Sequence, residues 1–422
     1  MKLKFLCSIG LGAIWLTASS YFAIGWAREA AYYLPAAYVW WVIIGIALLP
    51  GFLMGTMFFS NLLNMRRKEY PTVCTDTTVL ICAHNEEHTI AHTIRAIYDQ
   101  NYHGKIHLVV VDNASTDQTQ HEILKMRSCA PPNCLLTYAY CGVLGKANAL
   151  NFGLRLISTP YFVTVDADTY LEANALQRII NHIVAEKSVC VAGSLFVKNA
   201  KASLITRMQN YDYLFSIAAV KRFQSSYRST LVAQGAFSAY QTCAIRRIGG
   251  WHNVIGEDIV LTYQLLKQGF SSTYEPYAVG YTIAPETLDA FYNQRKRWAI
   301  GMLDGLHFVP PWKQGSPYAR YFTFVNISVI YVDFAFLFGF IPAILLALGG
   351  YFYFAGVLTI VTVALCMVLF ITMYLYQKQI HIPFENSVIG FLLFLFFFQI
   401  IQSTAALHGY IIRQFHRKEQ WK

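Results

Sequence analysis

Apolar and polar positions divide this chain into long uncharged runs around a polar middle. Phe5–Trp26 carries no charge and is long enough to cross a bilayer. Ala37–Leu63 is a second such run, and Phe322–Gly350, Tyr351–Tyr376 and Val388–Ile412 are three more. Between them the period changes. Thr77–Ala83 reads as a buried strand, followed by Ile90, Ile94 and Ile97 at helical spacing. Ile106–Asp112 is a second strand, with a helix beyond it that turns Ile123 and Leu124 inward. A short strand near Leu135–Ala139, a helix from Ala147 and the apolar strand Tyr161–Val165 come next. This alternation predicts an α/β domain: a Rossmann-like, mostly parallel sheet with helices on both faces. Past it, Gln234–Tyr240 reads as a strand, and Ile259–Gln268 and Thr287–Gly301 as helices. The expected organisation is two membrane helices in 1–68 and the α/β domain in 69–286. Interfacial helices in 287–319, then about three membrane helices and a basic tail in 320–422, complete it.

Composition supports the membrane reading. Hydrophobic residues make up 55% of the 422 and charged residues 13%, well below the usual quarter. The first run follows Met-Lys-Leu-Lys, but it exceeds a signal-peptide core and a second run follows soon, so it reads as an uncleaved helix. Lys2 and Lys4 before the first run, and Arg66, Arg67 and Lys68 after the second, place both flanks in the cytoplasm. The polar middle, Glu69 to Pro317, then lies there too. Three C-terminal spans would put the tail outside, against its Arg413, Arg417, Lys418 and Lys422, unless one segment is re-entrant. The net charge of +10 suits anionic headgroups, and no nucleic-acid motif appears. Nine cysteines without a CxxC pair read as free thiols.

The chemistry gathers at strand ends, where open α/β sheets bind ligands. Asp166 and Asp168 follow the Tyr161–Val165 strand. Two acids there suit Mg2+ or Mn2+ carrying a substrate phosphate, or they cap the next element. Asp112 can accept from a uracil or ribose, or cap a helix; Lys146 can neutralise a diphosphate, or be an exposed lysine with no specific role. Glu257-Asp258 is either a catalytic pair or an acidic helix start. Gln294, Arg297 and Trp298 share one helix face, a pattern that also suits a membrane-surface helix. Asp333 sits inside an apolar run, which makes it a candidate contact for a translocating polar chain, unless a neighbour caps it. No GxGxxG and no GxxxxGK[ST] accompanies the strands, which disfavours dinucleotide and P-loop chemistry.

Five clusters in order are similar to a known family: Asn85-Glu86-Glu87, Asp112 to Asp117, Asp166-Ala-Asp168, Glu257-Asp258 and Gln294-x-x-Arg297-Trp298. Together, over Thr77 to Gly305, they resemble processive membrane glycosyltransferases of family 2 with the GT-A fold. The resemblance is to bacterial poly-N-acetylglucosamine synthases, with chitin-oligosaccharide, hyaluronan and cellulose synthases as relatives. It implies an integral plasma-membrane enzyme with a cytoplasmic catalytic domain. Such an enzyme transfers hexosyl units, with inversion, from a UDP-sugar (UDP-N-acetylglucosamine foremost) to a growing polysaccharide and exports it. By position it implies that Ala83, Asn85, Glu86, Asp112, Lys146, Asp166, Gln294 and Arg297 bind the UDP-sugar. Asp166 and Asp168 would hold Mg2+ or Mn2+, and Asp258 would be the base, with Glu257 and Arg297 assisting. Gln234, Gly235 and Trp298 would meet the acceptor. Membrane lipids and a small membrane subunit are the implied partners, and nucleic acid is not. One departure stands out: Asp112-Asn113-Ala114 where the family often has two acids and a glycine. Transfer of a single sugar to a lipid, as in ceramide glucosyltransferases or polyprenyl-phosphate sugar transferases, is the alternative. A non-catalytic membrane subunit or passive transporter fits poorly with five intact polar clusters.

Overall fold

The strands form where β-branched residues are buried on both faces, as a sheet covered on both sides requires. In the computed structural model, which describes residues 1–64, 68–379 and 384–415, these are β1 (Thr77–Ala83), β2 (Ile106–Asp112), β3 (Cys134–Tyr140) and β4 (Tyr161–Asp166). Arg66, Arg67, Arg417, Lys418 and Lys422, which carry part of the orientation argument, lie outside the described residues. Alternation along each strand builds two cores. Val79, Ile81, Val163 and Val165 face one helical layer with Ile94 and Ile97. Leu80 and Phe162 face the other with Leu150.

β5 (Thr169–Leu171), β6 (Cys190–Val197), β7 (Phe237–Gln241) and β8 (Ser272–Thr282) complete an eight-stranded sheet of order β3-β2-β1-β4-β7-β6-β8-β5. β1 pairs in parallel with β2 and β4, β2 with β3, and β6 with β8. β7 runs antiparallel between β4 and β6, and β5 antiparallel to β8. The sheet is therefore mostly parallel, as expected, with two reversed strands. At the β6–β7 crossing a Cβ on Gly193 would lie 2.1 Å from the Phe237 ring, so only glycine lets that ring pack.

Among the described residues, four helices are long and apolar enough to cross a membrane: Lys2–Ala30, Ala36–Leu63, Pro317–Leu348 and Val388–Phe415. The remaining C-terminal run lies on the helix Val357–Gln379. The first two helices pack tightly, since a Cβ on Gly12 would meet Thr56 Oγ1 at 2.4 Å. The last one organises its neighbours. Its Arg413 Nε donates to Asp304 Oδ1 at 2.6 Å and so holds the helix Leu288–Phe308. Its Ser403 and Tyr410 hydroxyls donate to Asp333 at 2.7 and 2.8 Å, with Gln399 Nε2 at 3.4 Å. Asp333, 1% exposed, is thus capped by a neighbouring helix, and the reading of it as a polymer contact gives way to that role.

Candidate active site

Strand register sets the site. Ala83 pairs with Asp112, and Cys82 with Asp166, so three parallel strands end along one line. Asp112 is buried, and its carboxylate accepts from Ser115 N–H at 3.0 Å and the Tyr138 hydroxyl at 3.1 Å. Asn113 N–H donates to Ala83 O. Its side chain accepts from Gly145 N–H at 2.8 Å and donates to Cys141 O and Val143 O at 3.2 and 2.8 Å. The residue that departs from the family pattern therefore folds the loop that delivers Lys146. Asn85, in the left-handed region with φ 56°, accepts Thr116 N–H at 2.8 Å. Glu86 N–H donates to Thr119 Oγ1 at 2.7 Å, and Glu87 accepts Gln118 N–H at 2.9 Å. The turn after β1 is latched to the turn after β2.

Four elements converge on the acids. Lys146, at the start of the helix Lys146–Leu156, lies 2.6 Å from Asp166 Oδ1 and 3.8 Å from Glu257 Oε1. Burial alone would lower its pKa, but Asp166 and Glu257 raise it and hold it protonated. Gly235 closes the other side: a Cβ there would stand 3.1 Å from Lys146 Nζ. Glu257 and Asp258 open the helix Glu257–Lys267. Asp258 Oδ1 accepts Ile259 N–H at 2.8 Å and Oδ2 accepts Gly235 N–H at 3.4 Å. Burial pushes both carboxyls above the ordinary range, against the pull of Lys146. Asp168 is pushed up to about 7, first by burial and then by Asp166 and Glu86 beside it. Glu86 is raised too, by burial first and then by Asp166 and Asp117, against the hydrogen bond from Thr89.

This surplus of negative charge fits a divalent cation. Asp168 has no ion pair among the described residues, where Lys146 makes its ion pairs with Asp166 and Glu257. No group of three or more His, Cys, Asp or Glu among the described residues forms a ready-made metal cage. Two carboxylates completed by substrate phosphate oxygens are the donor set that suits Mg2+ or Mn2+.

The helix Leu288–Phe308 brings the last group. Trp298 is 40% exposed, with its ring 6.4 Å from that of Tyr213. The buried Tyr213 hydroxyl is raised to about 12, by burial first, and feels Asp168 and Asp166. Arg297 is exposed and makes no hydrogen bond or ion pair among the described residues, whereas Arg295 is buried and pairs with Asp212 at 2.6 Å. Gln294 and Gln234 each keep a buried side-chain oxygen without a partner, while Gln234 Nε2 donates to Gly193 O at 2.7 Å. Arg295, Asp212, Tyr213 and Lys221 were not singled out from sequence. A charged residue three before Trp298 and four after Phe291, on an apolar helix face, was the available signal for Arg295.

Residues 78–249 match the family described as Glycosyl transferase family 2. The poly-beta-1,6-N-acetyl-D-glucosamine synthase of Staphylococcus aureus is 30% identical over 226 residues, 53% of this chain and 54% of that one. Its counterpart in Staphylococcus epidermidis is 28% identical over 225 residues, 53% of each chain. The chain thus spans about half the length of the curated relatives it matches. In fold it is similar to a mannosyltransferase from Pyrobaculum calidifontis solved with GDP-Man and Mn2+, with a TM-score of 0.60 over 93% of this chain and 100% of that one, at 17% identity. The α/β lobe has the GT-A fold, its residues 78–249 match the glycosyl transferase family 2, and helices apolar enough to cross a membrane flank it.

Proposed function

We propose that the chain is an inverting, metal-dependent, processive glycosyltransferase. It polymerises a β-linked polysaccharide, poly-N-acetylglucosamine by its relatives' names, from a UDP-sugar at the cytoplasmic face and exports it. The observation that supports this best is that Lys146 at the strand ends meets Asp166 at 2.6 Å and Glu257 at 3.8 Å, with Asp168 two residues beyond Asp166 and Asp258 next to Glu257.

A sugar 1-diphosphate leaves poorly unless its growing charge is met. A cation held by Asp166 and Asp168 would supply that neutralisation when bound. Lys146 stands beside the pair as a fixed positive charge, and Arg297 extends freely from its helix toward solvent, available to the diphosphate. Such preorganised groups are usually the largest catalytic contribution, at about 3 kcal/mol for one donor. Asp258 accepts the proton of the attacking hydroxyl; its raised pKa makes it a stronger base, and Lys146 and two N–H donors keep it ionisable. No carboxylate need act as a covalent nucleophile, so a single displacement inverts the anomeric centre. Asp112 and the latched Asn85–Glu87 turn would bind the nucleoside. Trp298 would offer a flat face on which the acceptor sugar stacks and slides. The basic flanks Lys2, Lys4 and Lys68 favour a cytoplasmic lobe.

Incubation of the purified chain in detergent with UDP-N-acetylglucosamine and Mg2+ or Mn2+ tests this. A ladder of oligomers supports it. One sugar on a lipid moves the assignment to the lipid-glycosylating alternative, and no product from any UDP-sugar overturns it.

A further inference from the structure

Beyond Asp168 the chain forms the edge strand β5, and a cavity of about 370 Å3 opens there. Strand register sets three aromatic rings in one row. Phe196 on β6 pairs with Tyr281 on β8, and Tyr281 pairs with Tyr170 on β5. Paired residues turn their side chains to the same side, and all three line the cavity. Lys198, two residues beyond Phe196, holds its ammonium 3.3 Å from the centre of the Tyr170 ring. That ammonium makes no ion pair among the described residues, and the Tyr170 and Tyr281 hydroxyls make no hydrogen bond among them. Asn210 and Phe384 complete the lining. Asn210 Nδ2 donates to Glu385 O at 2.7 Å, which ties the helix Leu204–Asp212 to the segment that precedes the last membrane helix. Two links join this cavity to the active site. Tyr170 stands two residues after Asp168. Asn210 stands three residues before Tyr213, whose ring is 6.4 Å from that of Trp298.

The lining selects its ligand. Flat rings meet the apolar C–H faces of a sugar, while an ammonium and two phenol hydroxyls meet its oxygens. An acyl chain would leave those three polar groups without partners. A lipid phosphate would find one cation, already seated over a ring, and the Glu385 carboxylate on the rim, which pairs with Lys201 at 2.9 Å. We propose that this cavity is a saccharide site for the growing chain, holding a sugar unit set back from the one at which transfer occurs. This rests on the reading of the protein as a polymerising glycosyltransferase. A unit held there adds affinity that a short acceptor lacks, so chains already begun are favoured.

The test uses the full chain in detergent, UDP-N-acetylglucosamine as donor, and the β-1,6-linked N-acetylglucosamine disaccharide and pentasaccharide as acceptors. In the parent, the pentasaccharide KM is expected to lie about tenfold or more below that of the disaccharide. Tyr281→Leu and Lys198→Met should each raise the pentasaccharide KM and bring the two values within about threefold. Equal KM values in the parent, or a preference for the longer acceptor that both variants keep, overturns the inference. If neither variant folds, amine acylation of the unmodified chain read by mass spectrometry decides, because Lys198 is exposed. The pentasaccharide should protect Lys198, and phosphatidylglycerol added to the micelles should not. No protection, or protection by the lipid alone, overturns the inference. Protection needs no turnover, so its failure is distinct from failure of the proposed function, which falls when the parent makes no product from any UDP-sugar.

Discussion

The guanidinium of Arg295 lies 4.1 Å from the centre of the Trp298 ring. On its other side it meets Asp212 at 2.6 Å, and both side chains are buried. Phe291 flanks the same guanidinium at 4.8 Å. Arg295 therefore joins the indole to the element ahead of Tyr213, whose hydroxyl feels the acid pair. Removing one member of such a pair leaves a buried charge alone and costs about 3–5 kcal/mol. Arg295→Met should lower the thermal midpoint in detergent and raise the acceptor KM as Trp298 loses its orientation. Adding Asp212→Leu to Arg295→Met should regain much of the stability but not the acceptor KM, because replacing both charges removes the lone ion but not the misplaced indole.

A divalent cation should stabilise the protein more at high pH than at low pH. Asp168 has a folded pKa of about 7, raised by burial, Asp166 and Glu86, above its unfolded value. A carboxyl raised on folding keeps its proton in the folded state, so stability falls as pH rises from the unfolded pKa to the folded one, and the penalty persists above both. Glu257 and Asp258 shift in the same direction. The cation-free protein should therefore melt higher at about pH 5.5 than at about pH 8, and Mn2+ should raise the midpoint mainly at the higher pH. Equal Mn2+ shifts at both pH values would argue against Asp168 as a ligand. Chelation should abolish transfer and added Mn2+ restore it.

Asp258→Asn keeps the shape of the side chain and an acceptor oxygen for Ile259 N–H, but it cannot take a proton. Transfer should fall by more than about a hundredfold, while the Kd for the UDP-sugar changes little. A non-catalytic chain would show no such split. Asp168→Ala should instead weaken cation and donor binding together.

Much of this site was legible because its parts sit where local pattern changes. β1, β2 and β4 are β-branched runs buried on both faces, so their ends, and Asp112, Asp166 and Asp168 at them, follow from the chain alone. β6 and β8 do not read as strands: Ala192-Gly193-Ser194 and Glu275-Pro276 interrupt them, and they form because distant partners complete the sheet. The reversal of β7 is likewise a consequence of pairing with β4 and β6. Helical phase put Gln294, Arg297 and Trp298 on one face, but phase does not say which face is buried. The neighbouring helices decide that, and they bury Arg295 while leaving Arg297 to solvent.

Asp333 provides the remaining test, of the contact between the two C-terminal helices Pro317–Leu348 and Val388–Phe415. Its carboxylate accepts Ser403 and Tyr410 hydroxyls at 2.7 and 2.8 Å. Asp333→Leu removes the acceptor and leaves two buried hydroxyls unsatisfied, at about 1–3 kcal/mol each, so the midpoint in detergent should drop clearly. Asp333→Asn keeps one acceptor oxygen for Ser403, and the Tyr410 hydroxyl can turn to accept from the new amide, so its loss should be small. Because the same helix also anchors Asp304 through Arg413, a loosened contact in Asp333→Leu should reach the Trp298 helix and shorten the product. Asp333→Asn with normal stability but short product would instead restore Asp333 as a polymer contact, since only that role depends on the charge.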